Sequence, residues 1–307
     1  MSDRNLYGYG ANPPAANWPG GARVAVSFVL NVEEGSERAV SRGDPDNEAI
    51  YEMVQEVVGR PNPVMESHFD YGTRAGYWRI ARLLERYGAT CCVNACAEAF
   101  ALSPWLARDA VARGWEIMCH GWRWETTLEL SEAEMRDRIH RSVRTIQEIC
   151  GIRPVGWHSR IPYSPYTRPL IVEEGGFLYD SDAYDDDLPH FVDVGGRRHL
   201  VLPYCLDTND MRFQIPEVVF VRGKDFADYT NDAFDCLWEE GETSPKMLTI
   251  GLHLRIVGRP ARIGGLGAIL RHMTQKGQVW FARRDEIARH WIGMYGSAAP
   301  CGTVPRS

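Results

Sequence analysis

No stretch of this 307-residue chain approaches the roughly 18 apolar residues that a membrane-spanning helix needs. Met1 to Gly10 mixes charges with glycines and has no apolar h-region, so no export leader is expected and a cytoplasmic location is. There is no Lys/Arg-rich run, and the formal net charge is -7. Neither a nucleic acid nor an anionic membrane surface is therefore expected as a partner. A small molecule is the default ligand. The eight cysteines form no Cys-x-x-Cys pair, which removes the usual zinc and redox spacings. Cys91 and Cys92 are adjacent and Cys96 follows closely in a small apolar run, a placing that reads as buried thiols. Short repeats and low-complexity tracts are missing as well.

What is present is ample material for a core, with 44% hydrophobic residues. Residues 7–21 are turn-rich and read as an arm lying over the body or over a neighbouring subunit. Beyond them strand and helix signals alternate. Apolar runs mark strands at 23–31, 89–95, 115–119, 154–158, 177–182, 200–206, 247–254 and 279–281. Helical spacing marks 72–88, a segment opening at Ser103-Pro104, and 131–150, 165–174, 226–240, 265–276 and 285–291. The clearest is 131–150, where Ser131 and Glu134 form a capping box and Met135, Ile139, Val143, Ile146 and Ile149 recur every three or four residues. The alternation has no break in composition, which predicts one α/β domain built as a parallel barrel at 23–295. An N-terminal arm at 1–22 and a flexible tail at 296–307 flank it.

In such a barrel, function sits at the C-terminal ends of the strands. Those ends carry Asn31, Glu33 and Glu34, then His120 and Glu125, then His158 and Arg160. Further on come Asp180 and Asp182, Asp185 to Asp187, then Asp207, Asn209 and Asp210, and finally His253 and Arg255. A single carboxylate at a strand end commonly caps the next helix, and a single His is commonly a bonded core residue. The recurrence at one end of nearly every strand is what points to a site. Asp185 to Asp187 reads as a partly solvated loop, because neighbouring carboxylates raise one another's pKa. Arg160 and Arg255 each follow a His by two residues and so share its face. Cys119 adjoins His120 and points the other way, which argues against a thiol nucleophile.

The segment Cys119-His120-Gly121-Trp122-Arg123-Trp124-Glu125 holds one imidazole. A His-x-x-x-His pair, joined by a carboxylate from another strand, can hold one cation and leave room for water. Here Trp124 stands where the second histidine would be. Carboxylates remain at Glu33 and Glu34, so hydrolytic groups persist where the chelate is broken, and an unusual amide hydrolase is the expectation. Trp124 either packs between barrel and helices or offers a flat wall to a planar heterocycle.

Several segments together resemble the NodB-type polysaccharide deacetylase superfamily and, within it, the PuuE-type allantoinases, over essentially the whole chain. They are Leu-Asn-Val-Glu-Glu-Gly at 30–35, Met-Glu-Ser at 65–67, Tyr-Gly-Thr-Arg-Ala-Gly at 71–76 and His-Gly-Trp-Arg-Trp at 120–124. The resemblance continues through 173–182, 184–189, 207–213 and Gly-Leu-His-Leu-Arg-Ile-Val-Gly-Arg-Pro-Ala-Arg at 251–262. It implies a distorted (β/α)7 barrel, usually a homotetramer, that hydrolyses a cyclic ureide without needing a metal. Metal-dependent members look like Asp-x-Asp at the first motif, the leading Asp a base and the trailing one a ligand. Those positions are Asn31 and Glu33 here, and their His-x-x-x-His becomes His120 and Trp124.

The expected substrate is accordingly a cyclic ureide or imide such as allantoin. Its leaving nitrogen is conjugated to a second carbonyl, and ring opening relieves a constrained geometry, so a Lewis acid is less needed than for a sugar acetamide. Glu33 or Glu34 would act as base on water, His253 or His120 would protonate the departing nitrogen, and Arg160 or Arg255 would stabilise the oxyanion. Trp124, His158, Asp182, Asp207 and Asn209 would complete the substrate pocket with the two arginines. No cofactor is expected, and a weak divalent cation at Glu33 and His120 is left open. The competing reading is a metal-dependent N-deacetylase of an amino sugar or peptidoglycan fragment. A third is a binding protein that has lost its base at position 31.

Overall fold

The structure, a computed structural model, describes residues 4–49, 55–214 and 219–297. Val24–Val32 forms β1, nine residues buried without exception, as expected of a parallel strand covered on both faces. After it, α1 (Pro63–Tyr71) starts with Pro63 at its first position, and Asn62 accepts from the Met65 amide; a wide π-type turn at Gly72–Gly76 joins it to α2 (Tyr77–Arg86). Next come β2 (Cys92–Ala95), α3 (Ala97–Leu102), α4 (Pro104–Ala112) and β3 (Glu116–Cys119). Helix α5 (Glu132–Cys150) follows with the expected capping box: Ser131 Oγ accepts from the Glu134 amide, and the Glu134 carboxylate accepts from the Ser131 amide. The chain continues through β4 (Gly156–Trp157), α6 (Thr167–Glu174), β5 (Tyr179–Asp180), β6 (His190–Val194) and β7 (Arg197–Val201). It closes with α7 (Gly223–Glu240), β8 (Lys246–His253), α8 (Pro260–Lys276), β9 (Val279–Phe281) and α9 (Arg284–Tyr295).

The strands lie in the order β6-β7-β5-β4-β3-β2-β1-β8, parallel except for the β6/β7 hairpin. β8 runs along all but the last residue of β1, from Val24↔Lys246 to Asn31↔His253. The other edge of β1 is shared: β9 pairs with Val24–Val26 and β2 with residues 29–32. The sheet curls into the half-open wall of a distorted (β/α)7 barrel. Between β7 and β8 the seam is bridged by residues near Asn209, which pairs with Gly251.

Side chains of Val24, Val26, Phe28, Leu30 and Val32 face the helices, while Ala25 and Val29 face the interior with Cys92, Met118, Tyr179, Leu200 and Leu202. The arm lies on its own barrel. Trp18 packs on Trp280, His290 and Trp291, and its indole donates to the Lys246 carbonyl at 2.8 Å, sealing the end where the strands begin. Among the described residues no helix is long and apolar enough to cross a membrane. The tail expected at 296–307 lies outside the described residues from 298 onward.

Three expectations are corrected. The helix expected at 72–88 begins at Pro63, because Asn62-Pro63 supplies both a cap and a pre-set backbone. A short helix, α3, was not expected at all. The strand expected at 200–206 is β7, and its partner β6 has no apolar signature because it is an edge strand with one face in water. The Gly195-Gly196 turn joining them, with φ of 59° and 81°, was a hairpin signal in plain view.

Candidate active site

The period of two along β1 places the site. Asn31 and Glu33 follow Ala25, Ser27 and Val29 on the inner face, whereas Glu34 turns toward the helix layer. Glu33 is 1% exposed, yet it is far from isolated. Its Oε2 accepts from Arg255 Nη1 at 2.6 Å, and its Oε1 lies 3.2 Å from His253 Nε2 and 3.6 Å from His120 Nε2. Burial alone would raise its pKa, but the charges of His253 and Arg255 outweigh burial and hold it well below the ordinary carboxylate range.

His253 is held from its other side. Asp210 accepts from Nδ1 at 2.6 Å and from the His253 and Val257 amides at 2.8 and 3.1 Å. Burial would lower this imidazole, but Glu33 and Asp210 outweigh burial and raise it to about 9, so it is an imidazolium at neutral pH. His120 meets Glu33 differently. Its Nδ1 lies 2.5 Å from the His158 carbonyl, which can only accept, so that nitrogen carries the proton. Its Nε2 is the atom turned toward Glu33 Oε1.

Next to His120 the rings stack in series. His158 lies parallel to it at 5.8 Å and parallel to Tyr204 at 4.2 Å. Asp182 accepts from Ser159 and lies 3.2 Å from His158 Nδ1; burial nevertheless lowers the pKa of His158. Asn31 accepts from Asn94 Nδ2 at 2.8 Å and donates to the Leu252 carbonyl at 3.3 Å.

Trp124 is 8% exposed and carries two guanidiniums over its ring, Arg160 3.8 Å and Arg255 4.8 Å from the ring centre, with Phe69 tilted against it. Packing is thus what the structure shows for this indole.

Not every candidate joins this group. Arg160 is committed elsewhere: it grips Glu48 through two nitrogens at 2.8 and 3.1 Å and donates to the Trp124 carbonyl. Asp207 is exposed, near Arg212, and lines a recess of ≈410 Å³ at the β7/β8 seam. Asn209 is buried, its carbonyl taken by the Met211 amide. Glu34 accepts from the Glu33 amide at 3.1 Å and lies 3.7 Å from Arg255; burial raises it to about 7. Cys119 is buried, and burial pushes its thiol up to about 12.

Sequence reading passed over Tyr204 and did not select Asp210, although Asp210 stood in the run Asp207 to Asp210. Only the strand-end position signalled either.

A metal of the kind used by other members does not fit these side chains. One Glu33 oxygen already faces a guanidinium, and the place of a second histidine holds an indole whose nitrogen only donates. Among the described residues no group of three His, Cys, Asp or Glu side chains is arranged to hold a metal ion.

Comparison with known proteins defines the class. Residues 58–176 match the polysaccharide deacetylase family, and a Schizosaccharomyces pombe protein named "Putative polysaccharide deacetylase" is 34% identical over 94% of this chain and 96% of its own length. The chain belongs to the polysaccharide deacetylase family. Within that family it is similar to a probable polysaccharide deacetylase from Pseudomonas aeruginosa PAO1, at 47% identity and TM-score 0.91 over 95% of this chain and 99% of that one. It is equally similar to the crystal structure of PuuE allantoinase, at 46% identity and TM-score 0.92 over 96% of this chain and 99% of that one.

Proposed function

We propose that this protein is a hydrolase that opens a cyclic amide of the hydantoin or imide class, allantoin foremost, by general acid–base catalysis with no obligatory metal. The observation that carries the reading is the Glu33 carboxylate held between an imidazolium and a guanidinium, with an indole where a chelating histidine would be. The 46% identity to PuuE allantoinase over nearly the full chain supports the choice of ring.

Glu33 is the base and His253 the acid. Water held between Glu33 Oε1 and His120 Nε2 adds to the ring carbonyl carbon and gives one proton to Glu33. The carbonyl π pair moves to oxygen. As the carbon–nitrogen bond breaks, His253 Nε2 gives its proton to the leaving nitrogen, and the Glu33 proton returns to His253 across 3.2 Å. Ring and water thus become an acid and an amide nitrogen, with both side chains restored. General acid–base catalysis is worth about 10²–10⁴-fold, which suits an amide activated by a second carbonyl. Arg255 keeps Glu33 ionised, and Glu34 stands behind as a buried support. A homotetramer and a cytoplasmic location belong to the same proposal, on resemblance alone for the assembly.

The test is turnover of allantoin, hydantoin, dihydrouracil, succinimide and acetylated chitobiose by chelator-treated protein whose metal content is measured on the same sample. Ring opening at undiminished rate is expected. Acetate release without ring opening, or activity restored only by Zn²⁺ or Co²⁺, would overturn the proposal.

A further inference from the structure

Tyr204 is buried within the ring stack, and its hydroxyl is the meeting point of two amides. Asn31 Nδ2 donates to it at 3.5 Å and Asn209 Nδ2 at 3.4 Å. Neither amide is free to turn round: Asn31 Oδ1 is taken by Asn94 at 2.8 Å, and Asn209 Oδ1 by the Met211 amide at 2.8 Å. A phenol oxygen has two lone pairs and one proton. Both lone pairs are used, and among the described residues the proton meets no acceptor.

The hydroxyl also sits at a telling depth. Asn31 is the register partner of His253, and Gly251 lies one inward step below. A side chain at Gly251 would collide with the Tyr204 hydroxyl, so the glycine leaves it room. Glu33, two residues beyond Asn31 on the same face, forms the rim with His253 and His120, and Tyr204 lies beneath it. Burial raises its pKa above the ordinary tyrosine range, so the proton stays on.

We propose that Tyr204 is a catalytic residue, its hydroxyl donating a hydrogen bond to the ring carbonyl oxygen as that oxygen becomes an oxyanion. The inference rests on the ring-opening reading. It assigns the oxyanion role to a neutral donor, where the sequence pointed to Arg160 or Arg255. Arg160 is engaged by Glu48, and Arg255 by Glu33. No proton changes hands: two amides polarise the phenol, and the phenol stabilises the charge.

Tyr204→Phe keeps the ring and its stack on His158 and removes the donor alone. Loss of one such donor lowers kcat by about 10²–10³-fold with KM within about threefold, because the bond forms only in the transition state. Replacing Tyr204 by 3-fluorotyrosine keeps the hydroxyl and should hold kcat within about tenfold of wild type, which separates a lost donor from a disturbed ring packing. A Tyr204→Phe enzyme with kcat within threefold of wild type would overturn the inference while leaving the ring-opening reading in place. So would a fluorotyrosine enzyme as impaired as the phenylalanine one. A wild-type protein that opens no ring would overturn both.

Discussion

Arg255 Nη1 lies 2.6 Å from Glu33 Oε2, and both side chains are 1% exposed. In so dry a place neither charge is tolerable without the other, and the pair is joined by an imidazolium on one side and an indole face on the other. Arg255→Met should therefore cost about 3–5 kcal/mol of stability, read from urea unfolding, because it breaks a buried pair and leaves Glu33 with the His253 imidazolium alone. A loss below about 1 kcal/mol would show that Glu33 finds relief elsewhere.

Trp124→His rebuilds the His-x-x-x-His spacing with His120. The neighbouring guanidiniums are unchanged, so the variant should take up no more Zn²⁺ on dialysis than wild type. It should lose about 2–4 kcal/mol through the space left beside Phe69, Arg160 and Arg255. Stoichiometric zinc in the dialysed variant would contradict this account of the site.

Glu34 is raised from 4.5 to about 7, so its folded state favours the neutral carboxyl. The stability it contributes is present below about pH 4.5 and is lost as pH rises through 7. Glu34→Gln does not titrate. Its stability relative to wild type should improve by on the order of 1–3 kcal/mol between pH 5 and 8. A difference independent of pH would mean that Glu34 is ionised throughout.

His253 has the same sign for a different reason: its pKa is raised from 6.5 to about 9 by Glu33 and Asp210, working against burial. Its stabilising charge is present below about 6.5 and fades as pH rises through 9. The kcat profile should fall along the same limb. Asp210→Asn removes one of the two carboxylates and should move that limb down by about one pH unit or more. An unmoved limb would assign it to another group.

Arg284 is fully buried, and among the described residues no carboxylate is in contact with it; it donates to Ser27, Ser181 and Thr249 hydroxyls and to the Leu202 and Pro203 carbonyls. This guanidinium ties the chain just before Tyr204 and Asp182 to β1 and β8. Arg284→Met should cost about 3–5 kcal/mol, since several buried acceptors lose their donor at once. Unfolding midpoints within about 2 °C of wild type would contradict that role.

The parts of this molecule that were legible are those written in local pattern. The Ser131/Glu134 box and the three-to-four spacing after it specify α5 to within a residue, because capping and burial of one face act within a few turns. The apolar run of β1 gives a buried parallel strand, but it leaves open which of Glu33 and Glu34 points inward. β6 was illegible for the opposite reason: a half-wet edge strand has no periodic apolar signal. Asp207 looked equivalent to Asp210 in the sequence, three residues away, yet one lies in water and the other under His253.

By itself the sequence determined the alternation of strands and helices, the strand ends at which polar groups gather, and the indole that replaces a chelating imidazole. These follow from propensity, burial and side-chain chemistry, which each residue brings wherever it stands. Only the tertiary structure decided the partners: that Arg255 serves Glu33 while Arg160 turns to Glu48, that Glu34 faces the helices, and that Asn31 and Asn209 converge on Tyr204. Such pairings join residues up to 222 positions apart. They are set by strand order and register around the barrel, and no local preference encodes them.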